Sequence, residues 1–226
     1  MKKIVVLSGS GISQESGLKT FREMGGLWEE HDVTEVATPE AWENNRKLVL
    51  EFYNERRKQL LNAKPNKAHF LLAELESSYD VEIITQNVDD LHERAGSSKI
   101  LHLHGELRKA RSSVNPSEIY TLDGWELKEN NVCKAGFPLR PHIVWFGESV
   151  PAMDVATCIV QKADMLLVVG TSLVVYPAAG LIHFAKKNTP IYVVDPNELN
   201  ISTSQDIIFI KEKATTGIEK FTQMIG

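Results

Sequence analysis

Cysteine is nearly absent from this 226-residue sequence, which contains only Cys133 and Cys158. Two thiols cannot build a disulfide framework, nor can they supply the four thiolates of a structural metal site. Long apolar runs are missing too, none approaching the roughly 20 residues that span a bilayer, which argues against a membrane-embedded protein. The start, Met1-Lys2-Lys3 followed by Ile4-Val5-Val6-Leu7, passes at once into polar, glycine-rich sequence unlike a signal peptide, so the chain is expected in the cytoplasm. Positive charge is not in excess either: a net charge of -5 leaves no basic face to compete for a phosphate backbone, which argues against nucleic acid as a partner. What is present is 42% hydrophobic and 24% charged residues, enough to bury the core of one large domain or of a domain with an insert.

Four segments are short, β-branched and almost unbroken in apolar character: Ile4 to Leu7, Val81 to Thr85, Met165 to Val169 and Ile191 to Val194. That is the pattern of strands buried on both faces, hence of a parallel sheet. Between them, Lys67 to Ser77 sets Ala68, Leu71, Leu72 and Leu75 at helical spacing, and Ala178 to Lys187 follows Pro177. Strands alternating with helices predict an α/β fold, a Rossmann-like doubly wound parallel sheet. Residues 1–30, 63–105 and 139–226 are assigned to it, and residues 31–62 and 106–138, which break the rhythm, to a smaller inserted module.

Directly after the first strand comes Gly9-Ser10-Gly11-Ile12-Ser13-Gln14-Glu15-Ser16-Gly17. Small residues there let backbone amides approach a phosphate at a helix start, a dinucleotide signal. Its spacing departs from G-x-G-x-x-G, so a plain strand-to-helix turn is the competing reading. The continuation, Thr20-Phe21-Arg22 and Gly25-Gly26-Leu27-Trp28, adds an aromatic and a guanidinium that a plain turn does not need. The second strand-like run ends in Gln86-Asn87-Val88-Asp89, polar groups at the carboxyl end of a strand, where open α/β sheets bind ligands. His102 and His104 follow, on one side if the segment is extended. They are either a metal pair, for which His92 is the one third ligand close in sequence, or a catalytic base with a structural neighbour.

With these motifs the chain resembles the sirtuins, NAD-dependent protein-lysine deacylases, over essentially its whole length. The resemblance is carried by Gly9 to Ser13 with Thr20-Phe21-Arg22, by Thr85 to Asp89, by Leu103-His104-Gly105, by Leu139-Arg140-Pro141-His142-Ile143-Val144-Trp145-Phe146-Gly147-Glu148, and by Gly170-Thr171-Ser172. It implies NAD as a consumed co-substrate, held by Gly9, Ser10, Gly11, Ile12, Ser13, Gly17, Thr20, Phe21, Arg22 and Trp28. Its adenosine end is expected near Gly170, Thr171, Ser172, Asp195, Asn197 and Ala214, and its nicotinamide beside Gln86, Asn87, Val88 and Asp89. The catalytic group implied is His104 with Asn87 and Asp89. The acyl oxygen of the modified lysine attacks the ribose carbon as nicotinamide leaves, and His104 accepts a proton relayed from the ribose hydroxyls. Val144, Trp145, Phe146 and Gly147 are expected to pair with the backbone of an acylated protein substrate.

Tyr53 and Arg56 lie three residues apart in Phe52-Tyr53-Asn54-Glu55-Arg56-Arg57-Lys58, on one face of a helix. By itself this reads more readily as a solvated basic helix, since Arg56, Arg57 and Lys58 run together. Beside the other motifs it is similar to the Tyr-x-x-Arg signature of the sirtuin branch that removes succinyl and malonyl groups, with Ala37 as the small residue that opens the acyl pocket. An arginine fork with a tyrosine hydroxyl suits a carboxylate taken into a partly dry pocket. Most sirtuins also carry two Cys-x-x-Cys pairs for a structural zinc, but here that region has Cys133 alone. No zinc is expected; Ile119, Tyr120, Leu122, Trp125, Leu127, Val132 and Phe137 are expected to form a compact apolar core instead. Asp195 stands where the family commonly has asparagine, and its carboxylate is expected to accept the ribose hydroxyls and repel a 2′-phosphate. Two other outcomes stay open: ADP-ribosyl transfer to protein, and a catalytically silent NAD sensor.

Overall fold

A computed structural model describes residues 1–19, 32–198 and 206–226 of the chain. Along these residues the strands are β1 (Lys3–Ser8), β2 (Asp80–Thr85), β3 (Ile100–His102), β4 (Gly105–Ser112), β5 (Ile119–Thr121), β6 (Leu139–Ile143), β7 (Met165–Val169), β8 (Ile191–Val194) and β9 (Ile207–Ile210). The helices are α1 (Gly11–Gln14), α2 (Val33–Val36), α3 (Pro39–Asn44), α4 (Arg46–Asn62), α5 (Lys67–Glu74), α6 (Leu91–Ala95), α7 (Met153–Val160) and α8 (Ala214–Ile225). Ala178–Phe184, expected as a helix, is a 3-10 turn.

Six strands make one parallel sheet in the order β3-β2-β1-β7-β8-β9. Its apolar runs are continuous because both faces are covered. Val5, Leu7, Ile84, Leu166 and Val168 pack against α7 and the 3-10 turn, and Ile4, Val6, Ile83, Leu167 and Val169 against α5 and α8. The order of strands reverses between β1 and β7, the switch point at whose carboxyl end open α/β sheets place a ligand crevice.

The second sheet, β5-β4-β6, is antiparallel and packs with α2, α3 and α4. Leu139–Ile143, assigned above to the larger domain, is hydrogen-bonded as β6 to β4 in this smaller sheet. The expected internal core of the module does not form. Ile119, Trp125, Val132 and Phe137 are exposed, Tyr120 and Leu122 are partly buried, and only Leu127 is fully enclosed. A single sheet of three short strands has too little volume to bury both faces. Its apolar side is spent on α4, where Val49, Phe52, Tyr53 and Leu60 meet Leu107, Ala110, Leu127, Cys133 and Leu139.

Candidate active site

At the reversal point the loop after β1 lies directly on the loop after β7. Gly11 N donates to the carbonyl of Gly170 at 2.9 Å, and Gly9 N to that of Val169 at 3.0 Å. A Cβ on Gly11 would stand 2.7 Å from Gly170 Cα, and one on Gly170, whose φ is +60°, 2.3 Å from Ile12 N. The glycines are therefore required first by the approach of two backbones. The amides of Ile12 and Ser13 also donate within the loop, to Gly9 and Ser10, so several amides expected to face a phosphate are already bonded to protein carbonyls.

One cavity of about 440 Å³ begins at this junction and runs to α4. Gly9, Ser10, Gly11 and Ser13 line one end with Gly170, Thr171, Ser172, Asp195, Asn197 and Ala214; Gln86, Asn87, Val88, Asp89 and His104 line its middle. Ala37, Tyr53, Arg56, Val144, Trp145, Phe146 and Gly147 line the other end. Two expected residues stand off its wall. Ile12 is fully buried in the core beneath the sheet, and Gly17, with φ +86°, ends the turn after α1. Thr20, Phe21, Arg22 and Trp28 lie outside the described residues. The lining also includes Leu18, Gln59, Leu107, Val150 and Tyr176, apolar or neutral residues with no motif of their own.

The middle of the cavity is held from below by a polar network. Asn87 Nδ2 donates to the Gly9 carbonyl at 3.1 Å and to Ser13 Oγ at 3.2 Å. Ser13 Oγ donates to Asp89 Oδ2 at 2.9 Å, and the Leu91 amide to Asp89 Oδ1 at 3.1 Å. Asn87 and Asp89 thereby tie the end of β2 to the glycine loop. Burial pushes the Asp89 carboxyl up to about 6, against the opposing pull of the Leu91 amide and the Ser13 hydroxyl.

His104 lies two residues beyond β3, and its Nδ1 is 3.0 Å from the Gln86 carbonyl. A carbonyl only accepts, so Nδ1 carries the hydrogen and Nε2 is left as an acceptor. Burial lowers the imidazole's pKa, with the Gln86 contact opposing. Gly105 is dictated by β6, since a Cβ on it would fall 2.0 Å from the His142 carbonyl. His102 is fixed otherwise, with Nδ1 3.1 Å from the Asn87 carbonyl and Nε2 2.7 Å from Glu93. Burial alone would depress its pKa, but the Glu93 carboxylate holds it above the ordinary value. The two histidines therefore have different partners, His104 the Gln86 carbonyl and His102 the Asn87 carbonyl and Glu93. No group of three potential metal ligands occurs among the described residues.

At the far end, Trp145 Nε1 donates to Tyr53 Oη at 3.0 Å. Glu148 accepts from Arg111, from Arg140 and, at 2.8 Å, from the Trp145 amide. Arg140 stacks its guanidinium 3.3 Å from the centroid of the Trp145 ring. The amides of Val144 and Phe146 donate to the carbonyls of His104 and Ala37. Backbone pairing by a substrate along this segment must therefore draw on its carbonyls rather than on those two amides.

Fold and site together define the class, a doubly wound α/β protein with a dinucleotide-type crevice that runs past His104 into a second, partly apolar chamber. The Sir2 family model matches residues 9–177, and the chain belongs to that family, the sirtuins. It is 50% identical to an NAD-dependent protein deacylase of Bacteroides thetaiotaomicron, over 100% of this chain and 98% of that one. It is 53% identical to one of Helicobacter pylori, over 97% and 95%. Among solved structures it is similar to a Sir2 homologue bound to ADP-ribose, with TM-score 0.91 and 38% identity over 99% of this chain and 92% of that one. A Sir2 homologue in complex with NAD matches at TM-score 0.89 and 38% identity, over 99% and 89%.

Proposed function

We propose that this protein removes acyl groups from lysine side chains of other proteins at the expense of NAD, and that it favours acyl chains ending in a carboxylate. The observation that carries the reading is the position of His104. Its acceptor nitrogen belongs to a residue midway along a single cavity whose two ends suit two different ligands. The residues present fit NAD. Asp195 follows β8 with its Oδ1 accepting from the Asn197 amide at 2.8 Å, and it lines the glycine-loop end of the cavity, where a carboxylate suits a ribose diol. When bound, NAD supplies a ribose carbon that becomes electrophilic as nicotinamide departs.

The chain's own residues do the rest. His104 takes the proton released from the ribose hydroxyls, and its hydrogen bond to Gln86 keeps the neutral tautomer suited to that task. Asn87 and Asp89 border the nicotinamide end, and Val144 to Gly147 lay out the modified peptide. Tyr53 and Arg56 meet the acyl carboxylate, and Ala37 leaves room for it. The products are nicotinamide, free lysine and O-acyl-ADP-ribose. We further infer that the small module stands without zinc. Its Cys133 is buried against the core shared with α4, with Ser112 and Glu118 beside the thiol, Cys158 lies on α7 outside the module, and α4 supplies the fastening that four thiolates would.

The test is an assay of succinylated, malonylated and acetylated peptides with NAD that follows nicotinamide and peptide together. Both products are expected, fastest with the acidic acyl groups. Nicotinamide without deacylated peptide would point to ADP-ribosyl transfer, and no nicotinamide to an NAD sensor.

A further inference from the structure

Tyr53 is 5% exposed and Trp145 2%, and both border the cavity next to Arg56. Among the described residues the hydrogen-bonding partner of the Tyr53 hydroxyl is the Trp145 indole, at 3.0 Å. An indole N–H can only donate, so it occupies one lone pair of the phenol oxygen and leaves the phenol's hydrogen uncommitted. The charged side chains around the phenol are chiefly donors as well: Arg140 and Arg57 act on it, with Glu148 opposing. Glu148 is itself saturated by Arg111, Arg140 and the Trp145 amide. Among the described residues no acceptor takes this hydrogen, so it is available to an acceptor that enters the cavity.

We propose that Trp145 is a positioning residue for acyl selectivity, its indole N–H forcing Tyr53 to act as a donor toward the carboxylate end of the acyl chain. Two further contacts fix the indole for this role. Arg140 lies over the ring at 3.3 Å, where its charge withdraws electron density and strengthens the N–H as a donor. Glu148 grips the Trp145 amide at 2.8 Å and Arg140 on the other side, so ring and backbone are held by one ion-paired unit. Without the indole donor nothing fixes the orientation of the phenol O–H, and the hydroxyl can meet the carboxylate with a lone pair, which repels it. The arrangement makes the chamber selective for an anion rather than merely polar.

This inference rests on the acidic-acyl reading above, and a double-mutant cycle separates the two. The quantity read is the ratio of kcat/KM for succinyl-lysine to that for acetyl-lysine peptide, in the native enzyme, Tyr53→Phe, Trp145→Phe and the double variant. Trp145→Phe is expected to lower the ratio by about 5-fold to 10-fold, a part of what a hydrogen bond to a charged group contributes. In the Tyr53→Phe background the same change is expected to move it by less than about 2-fold, because the effect passes through the hydroxyl. Replacing the indole by isosteric benzothienylalanine, which keeps the shape and deletes the N–H, should reproduce the drop if Trp145→Phe folds poorly. A ratio unchanged by both Trp145 replacements but lowered by Tyr53→Phe overturns the role of Trp145 alone. So does an equal fall in both Tyr53 backgrounds. A native enzyme without acidic preference overturns the reading of the chamber, and this proposal with it.

Discussion

Arg56 sits one helical turn beyond Tyr53, its guanidinium 5.1 Å from the centroid of the Phe52 ring, and it lines the same end of the cavity. A carboxylate entering this chamber loses water, and a guanidinium restores charge-assisted hydrogen bonds of about 1.5–3 kcal/mol each. An acetyl group has nothing for it to hold. Arg56→Met is therefore expected to lower kcat/KM for succinyl-lysine by about 10-fold or more while changing the acetyl value much less. Equal losses on the two peptides would remove the assignment. The base sets a second expectation. As the proposed base His104 must be neutral, and because burial depresses its pKa, the protonated form is reached below the ordinary histidine value of 6.5. Asp89, raised to about 6, becomes protonated in the same range. The kcat/KM profile should be flat near pH 7 and fall on the acid side below about pH 6.5. A limb centred above pH 7 would contradict the assigned tautomer and its environment.

At the level of the element, α4 joins the cavity to the small module. Tyr53 and Arg56 point one flank of the helix at the cavity, while Asn54 and Arg57 fasten another to the module. Asn54 Nδ2 donates to the Leu127 carbonyl at 3.1 Å and its Oδ1 accepts the Leu127 amide at 2.9 Å. Arg57, fully buried, donates to the carbonyls of Leu107 at 2.7 Å and Trp125 at 2.6 Å, and also to Asn54 Oδ1. Burial lowers its pKa to about 10, which leaves it charged at neutral pH. Replacing it with an apolar chain relieves a desolvation cost but strands the buried Leu107 carbonyl, the part-buried Trp125 carbonyl and Asn54 Oδ1, at about 1–3 kcal/mol for a buried group. The second effect is the larger, so Arg57→Met is expected to destabilise the protein by about 2–3 kcal/mol in urea melts. Amide exchange should rise most at residues 107–127. The sequence does hold a sign of this clamp. Val49, Tyr53, Arg57 and Leu60 share one helical stripe, and a charge inside an apolar stripe is buried or misplaced. The neighbouring Arg56 and Lys58 hide it, because three cations in a row read as a solvated face. The expected core of Ile119, Trp125, Val132 and Phe137 failed for a related reason: apolar composition does not tell which side of a thin sheet has a partner.

For the whole molecule, legibility follows burial. The central strands β1, β2, β7 and β8 are unbroken apolar runs, and the residues their ends bring together stand in short contiguous motifs, so the crevice and His104 are readable along the chain. β3 is a three-residue edge strand whose burial is partial throughout, and β6 carries arginine, proline and histidine, so neither announces its sheet. β9 is as apolar as the central strands, and only its edge position with Phe209 exposed sets it apart. The same logic bears on the module that family members commonly hold with zinc. Here Cys133 lies in the core that α4 shares with β4 and β6, its amide donating to the Phe137 carbonyl at 2.8 Å. A structural zinc needs about four ligands in tetrahedral reach, whereas helix and sheet are already joined by Asn54, Arg57 and apolar contact. Protein purified in zinc-supplemented medium is therefore expected to hold well under one zinc per chain by elemental analysis, and prolonged chelation should change neither its melting temperature nor its deacylation rate. Stoichiometric zinc, or a loss of stability on chelation, would show that the module needs more than its packing.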